Sequence, residues 1–357
     1  MTHSPAPLAP PPSVPPSAAQ NLSALGSTAQ ETPYEDLLGL WSDLEAACSL
    51  LLGHPLQVHQ LPAKVQQLDN WLQELIARDN DSALYAMFQL AGSSTAGYSA
   101  SHALVCATLS HILAAHFVLP QQERDALVHA ALTMNIGMTQ LQNQLAVQRE
   151  RPSIAQQEAI RSHPADGQRL LRNVGVSQRL WLDVVGLHHI SSETSTPLAK
   201  QPVAERLARI LATCDRYAAM ISPRRTRPGR SVAESAQAIT GPQARLYEQV
   251  GNALIDCIGY FPPGIFVALQ SQEVAVVLRR SSEPNCPWVA KLLDARKAPL
   301  RQPELIATDA PEHRISHALP AHDVKLHVDH RTLVQLGLYA ARFNTGLHAL
   351  VSTPGAR

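Results

Sequence analysis

Five residues of the sequence have side chains that could bind a metal ion: His102, His163, the adjacent His188 and His189, and Asp215. They fall on four segments whose apolar residues have helical spacing. Facing helices of a bundle can project such side chains into a shared interior site. Imidazole and carboxylate groups suit zinc, iron, nickel or manganese. A lone histidine on an amphipathic helix is more often solvated or hydrogen-bonded, so spacing alone does not establish a site.

The segment that carries these residues has the pattern of a helical bundle. Glycine and proline separate its predicted helices, at 100–118, 122–135, 153–173, 178–190, 203–222 and 243–259. Two apolar stripes before it predict a smaller helical unit. The runs 265–269 and 273–278 after it favour strands. The first 33 residues contain eight prolines and are predicted to be a disordered tail.

These patterns give a mainly α fold class, with an N-terminal helical unit and a small C-terminal β appendage. The predicted boundaries are 1–33 for the tail, 34–92 for the N-terminal unit, 93–262 for the bundle, and 263–357 for the appendage and C-terminal tail.

Composition excludes several classes of protein. Apolar residues make up 45 % of the chain, which is enough for a core, and aromatic residues only 4 %. Lys plus Arg and Asp plus Glu number 29 each, so bulk charge implies no DNA, RNA or membrane partner. No apolar run reaches the length of a membrane span. The five cysteines include no CxxC pair and indicate reduced thiols, which predicts a cytoplasmic protein.

Six stretches between residues 98 and 269 carry a more specific signal. Two of them read HPADGQRLL at 163–171 and RILATCDRY at 209–217; the others lie at 98–102, 130–138, 187–189 and 259–269. Taken in chain order, the six stretches resemble the HD-GYP domain, a helical metal-dependent phosphohydrolase that cleaves the bacterial messenger cyclic di-GMP. The resemblance covers about half of the chain and implies an HD-type helical bundle.

The resemblance also implies roles for the metal-ligating residues. It assigns His163, His188 and His189 to one metal ion, and His102 and Asp215 to another. The family's defining His-Asp pair, which would be shared between the two ions, is replaced here by Met134 and Asn135. Methionine is a soft ligand, and asparagine lacks the charge that holds two cations close together. We therefore expect one ion at most (Fe, Mn or Zn) and name no catalytic residue.

A second departure is the missing GYP loop, whose place is taken by ISSETSTPL at 190–198. The basic residues Arg224 and Arg225 lie where the family has a segment that contacts nucleotide phosphates. Guanidinium groups bind phosphate oxygens bidentately, so these two are candidate substrate-binding residues. A solvated basic loop is an equal alternative.

The sequence thus predicts a degenerate HD-GYP-like protein of cyclic di-GMP signalling, impaired in hydrolysis. It would act as a nucleotide-binding or protein-interaction module, with a signalling protein as partner and with a homodimer as one arrangement. The alternative is an active single-metal phosphodiesterase that produces linear dinucleotide or GMP. A helical scaffold with vestigial histidines is a third.

Overall fold

The computed structural model describes residues 35–93, 97–189, 196–222, 232–240, 248–283, 285–324, 326 and 328–351. The predicted tail at 1–33 lies outside these ranges. Residues 32–357 form one compact unit.

Helices dominate the described ranges. Their bounds are α1 Glu35–Gly53, α2 Leu61–Arg78, α3 Asn80–Ser93, α4 Tyr98–His116, α5 Gln121–Thr133, α6 Thr139–Val147, α7 Ile154–Asn173, α8 Arg179–Leu187, α9 Val203–Ile221, α10 Val232–Thr240, α11 Glu248–Ile258 and α12 His330–Val351. A short 3-10 helix, Ile136–Met138, joins α5 to α6. The first five helices predicted for the bundle are present with shifts of up to three residues at their ends, and the sixth is present from Glu248, its predicted start at 243–247 lying outside the described residues. Helices α6 and α10 were not predicted.

Helix α4 is the central helix of the bundle. It packs against α1, α3, α5, α9 and α11. Nearly all of its residues are buried, including small ones such as Ala103 and Ala107 that let neighbouring backbones approach. A helix that is apolar on all sides has to be interior. His102 therefore reaches the inside of the bundle rather than its surface.

The C-terminal appendage is a five-stranded antiparallel sheet. Its strands are β1 Phe266–Leu269, β2 Val274–Arg279, β3 Trp288–Leu293, β4 Pro299–Ala307 and β5 Ile315–Leu319, in the order β4-β3-β2-β1-β5. Every residue of β2 is buried, because α3 and α12 pack against that strand. This arrangement confirms the mainly helical fold class with a small β-rich appendage.

The N-terminal helices share their core with the bundle. Leu44 of α1, Leu72 of α2 and Leu84 of α3 belong to the same buried cluster as Leu104 and Val128. The domain boundaries given above remain a prediction. None of the described helices combines the length and apolarity that a membrane crossing requires.

Candidate metal centre

The first part of the site is His163 on α7, whose side chain is held by a break in its own helix. A capping box of Ser153 and Gln156 starts this helix, and Pro164 lies inside it. Proline has no N–H, so the carbonyl of Ile160 loses its ordinary helical partner. The imidazole Nδ1–H of His163 donates to that carbonyl instead, at 2.5 Å. The His-Pro sequence therefore fixes the ring and leaves its Nε2 facing the interior.

The second part is His188, which follows the last residue of α8. The final carbonyls of a helix have no partner within it, and that of Val185 accepts the Nδ1–H of His188 at 2.7 Å. The Nε2 atoms of His163 and His188 lie 3.2 Å apart. Since each Nδ1 carries the proton, two Nε2 lone pairs face each other.

His189 completes this cluster. It is exposed, and its ring centroid lies 4.1 Å from that of His188 and 5.0 Å from that of His163. One ligand atom from each of the three side chains falls within 4.8 Å of the others. The structure thus brings together three histidines that are 25 and 1 residues apart in the sequence.

The three histidines fit a divalent ion. Burial lowers the pKa of His188 to about 3 and also lowers that of His163 from its ordinary 6.5. Both rings are therefore neutral at pH 7, the form that binds metal. Two nitrogens on a tetrahedral ion with bonds of about 2.0–2.1 Å are about 3.3 Å apart. The Nε2 separation of 3.2 Å matches that value.

The pKa of His188 predicts a pH dependence of stability in the metal-free protein. The unfolded chain binds a proton on this ring below about pH 6.5, whereas the folded protein does so only near pH 3. The free energy of unfolding should therefore fall as pH falls through this window, by up to about 1.4 kcal/mol per pH unit for one proton. The free energy of unfolding, measured with urea between pH 7 and 4, should change less steeply with pH in His188→Gln than in wild type. His54→Gln, at an exposed position, should keep the wild-type slope, and equal slopes in all three proteins would contradict this prediction.

The role of Pro164 predicts opposite effects on stability and metal affinity. Alanine at this position restores an N–H that competes with His163 for the carbonyl of Ile160. Removing proline from a helix interior gains about 3 kcal/mol, and losing two buried methylenes costs about 1.6 kcal/mol. Pro164→Ala should therefore raise the free energy of unfolding by roughly 1 kcal/mol and weaken metal binding about tenfold.

Thermal melting and metal titration of Pro164→Ala measure the two effects. Ala165→Ser, at an exposed position of the same helix, is the control. An unchanged metal affinity in Pro164→Ala would contradict the assigned role.

A second cluster lies on α4 and α9. The Nε2 of His102 is 2.8 Å from Oδ1 of Asp215, and the Sγ of Cys106 is 3.7 Å from the same nitrogen. Burial raises the pKa of the Asp215 carboxyl, but the hydrogen bond and charge of His102 outweigh it and leave that pKa below its usual range. Electrostatic interaction with His188 and His189 also lowers the pKa of this carboxyl. The two clusters therefore lie close enough for their ionisable groups to interact electrostatically.

Cys106 is the member of this cluster that the sequence analysis missed. Its signal was the spacing of four residues from His102, which places both side chains on one face of a helix. Burial is the main cause that raises the pKa of the Cys106 thiol well above its ordinary value of 9.0, so the thiol is protonated when no ion is bound.

Met134 and Asn135 directly follow the last residue of α5. Met134 is buried and Asn135 is half-buried. The following turn packs on α7 at Gly137, where an added Cβ would lie 2.7 Å from the backbone nitrogen of Gly167 and 2.8 Å from the carbonyl of His163. The backbone segment that would carry the family's His-Asp pair thus contacts the helix of His163 directly.

This contact predicts a large effect of Gly137→Ala. Neither backbone atom can yield without moving α7, so we expect destabilisation by about 2 kcal/mol and weaker metal binding. Gly167→Ala is a matched control, because its Cβ would meet nothing nearer than 3.6 Å. Chemical denaturation and metal titration of both variants test this, and equal behaviour would contradict the proposed contact.

Arg224 and Arg225 lie outside the described residues, as does the segment 190–195 that stands in place of most of the GYP loop. Their placement relative to the clusters stays a prediction.

Comparison with known proteins gives two matches. No family model matches the sequence. A curated cyclic di-GMP phosphodiesterase of Pseudomonas aeruginosa is 32 % identical over 148 residues, which is 40 % of this chain and 36 % of that protein. The chain thus aligns with little more than a third of this relative's length. Among solved structures, an HDG"Y"P protein from Bdellovibrio bacteriovorus has a TM-score of 0.47 at 14 % identity, over 64 % of this chain and 74 % of that one.

The name of the Pseudomonas protein, a cyclic di-GMP phosphodiesterase, agrees with the activity that the HD-GYP resemblance of the sequence implies for that family. On these grounds, the chain is related to the HD-GYP family.

Proposed function

We propose that this protein binds one divalent ion of the iron, manganese or zinc class on His163, His188 and His189. In this proposal it acts in cyclic di-GMP signalling as a nucleotide-binding or protein-interaction module and hydrolyses the nucleotide poorly. The observation that carries the metal site is the pair of Nε2 atoms 3.2 Å apart, whose rings are each fixed by an Nδ1–H bond to a backbone carbonyl. Such hydrogen bonds orient histidine ligands and increase their basicity.

The impaired hydrolysis follows from Met134 and Asn135. A two-metal centre needs an anionic bridge and ligands for both ions, so that the two charges together stabilise the attacking and leaving oxygens. A thioether and a neutral amide do not supply these. The loss of one electrostatic stabiliser of this kind costs about 4 kcal/mol or more, or roughly a thousandfold in rate.

The three histidines leave room for a further ligand on the ion. A bound ion would supply positive charge for a phosphate oxygen, while His163 and His188 hold it from the buried side and His189 from the exposed side. Asp215 contributes negative charge next to the cluster, which favours cation binding.

The alternative is an active single-metal phosphodiesterase. Two observations favour it: three protein ligands with an open position is a workable catalytic arrangement, and the similar Pseudomonas protein is named as a cyclic di-GMP phosphodiesterase. The two functions differ in whether the protein hydrolyses cyclic di-GMP efficiently, not in which nucleotide it binds.

Binding of cyclic di-GMP tests the proposal independently of hydrolysis. Equilibrium dialysis of the purified protein with the nucleotide, with and without manganese, should show saturable binding that GMP does not displace. The double variant Arg224→Ala, Arg225→Ala should bind at least about tenfold more weakly if these guanidinium groups hold phosphate. Arg161→Ala, which removes an exposed arginine, is the control. No binding under either condition would overturn the nucleotide-binding role.

A further inference from the structure

We propose that this protein forms a two-fold symmetric homodimer through an uncharged surface around Leu56, between the end of α1 and helix α6. The surface comes from two stretches of the chain, 46–63 and 126–148, which contain no Asp, Glu, Lys or Arg. These four residue types make up 16 % of the whole chain, so about seven would be expected in the 41 residues of the two stretches. The dimer does not depend on metal or nucleotide binding.

A cavity brings the two stretches together. It has a volume of about 450 Å³ and is lined by Leu52, Gly53 and Pro55 at the end of α1, and by residues 136–141 and Gln144. None of these residues is charged, so covering the cavity with a partner takes no charge out of water. The cores of protein interfaces are depleted in charged residues in the same way. The cavity therefore has the composition of an interface core.

Leu56 is held beside this cavity by a hydrogen-bonded turn. The N–H of Gln57 donates to the carbonyl of His54 at 2.9 Å, which closes a β-turn with Pro55 and Leu56 at its centre. The turn leaves Leu56 75 % exposed. Exposed turn positions ordinarily carry Gly, Asn, Asp or Ser, and a leucine side chain is stabilised by burial. The fold thus presents a fixed apolar side chain that a partner would cover.

Two further apolar side chains of the same stretches are exposed. Leu50, on the last turn of α1, is 68 % exposed, and Val147, one turn after Gln144 on α6, is 44 % exposed. Single exposed apolar residues are ordinary on a protein surface, whereas a group of them on an uncharged surface marks an interaction site. The remaining large apolar side chains that are exposed in the described part of the chain lie outside both stretches: Val118, Ile154, Val203 and Tyr260.

A second copy of this chain fits the surface in charge, shape and size. An uncharged surface is matched by another uncharged surface, and a two-fold axis brings the same surface of both copies together. Leu56 of each copy then enters the cavity of the other copy. The two stretches hold 24 residues that are at least partly exposed, which is within the range of about 20–30 residues a side that a stable interface uses.

Sedimentation velocity of the purified full chain tests the dimer. Between about 1 and 100 µM, a range that covers micromolar dissociation constants, we expect wild type to reach twice the chain mass of 38.7 kDa. Leu56→Glu places an uncompensated carboxylate in the apolar cavity of each copy, so its dissociation constant should rise at least about 100-fold. Val118→Glu adds the same charge at an exposed valine outside both stretches and should dimerise like wild type.

Two outcomes of this experiment would overturn the proposal. One is a wild type that stays monomeric over the whole range, which would leave the surface to a different protein. The other is Leu56→Glu that dimerises as tightly as Val118→Glu.

Salt tests the interface without a substitution. Because screening acts on charges, the dissociation constant of an uncharged interface should change less than about twofold between about 0.05 and 0.5 M sodium chloride. A wild-type dimer that weakens about tenfold or more over this range is held by charged groups, which would contradict the proposed surface.

Discussion

Replacing His188 by alanine is expected to abolish metal binding at the three-histidine cluster. His188 is 1 % exposed, and its Nε2 faces that of His163. Loss of a residue that merely orients a ligand weakens binding 10–100-fold, so loss of the ligand itself should cost about 100-fold or more. An ion at 100 times its dissociation constant stabilises a protein by about 2.7 kcal/mol. That stabilisation should disappear in His188→Ala.

Thermal unfolding with and without manganese measures this effect. His116→Ala is the control, because His116 is an exposed histidine on α4 outside both ligand clusters. The control should keep the full metal-induced shift in melting temperature. If His188→Ala keeps the same shift, the metal lies elsewhere.

The second large effect concerns a buried ion pair between α2 and α5. Asp69 is fully buried, and both of its oxygens accept from Arg124, at 2.5 and 2.7 Å. His129 lies 3.1 Å from the same carboxylate. Removing one partner of a buried pair leaves the other charge without compensation. Asp69→Ala should therefore lower the free energy of unfolding by about 3–5 kcal/mol.

Urea denaturation of a small series separates the pair from simple packing. Asp125→Ala removes a more exposed partner of the same arginine and should cost less than about 1 kcal/mol. The double variant Asp69→Ala, Arg124→Met should recover part of the loss, because no uncompensated charge remains. Equal losses in Asp69→Ala and Asp125→Ala would contradict this account.

The three histidines were grouped in the sequence through the resemblance to the HD-GYP domain, since their spacing alone establishes no site. The structure brings them together and shows local causes for their placement. Pro164 leaves the carbonyl of Ile160 without its helical N–H partner, and the end of α8 does the same for the carbonyl of Val185. Each of these carbonyls lies three residues before the histidine whose ring donates to it. Glycine at 137 is likewise explained by one close backbone contact. In motifs of this kind, residues close together in the sequence determine the local geometry of the site.

Other features depend on contacts between distant residues, which periodicity does not reveal. Asp69 and His129 are 60 residues apart, and the sequence analysis gave neither a role in the pair. Cys106 becomes part of a candidate ligand cluster only because α9 brings Asp215 to His102, 113 residues away. Helices α6 and α10 are nine residues long, and α6 is rich in glutamine, so their apolar stripes were too weak to predict.

The central claim is that this relative of the HD-GYP family holds an ion without hydrolysing cyclic di-GMP efficiently. The most direct measurement is chromatography of the nucleotide after long anaerobic incubation with purified protein and manganese or ferrous iron. The account predicts intact cyclic di-GMP together with a metal-induced stabilisation that His188→Ala lacks. Linear dinucleotide or GMP that appears with wild type and not with His188→Ala would contradict it and establish the single-metal phosphodiesterase.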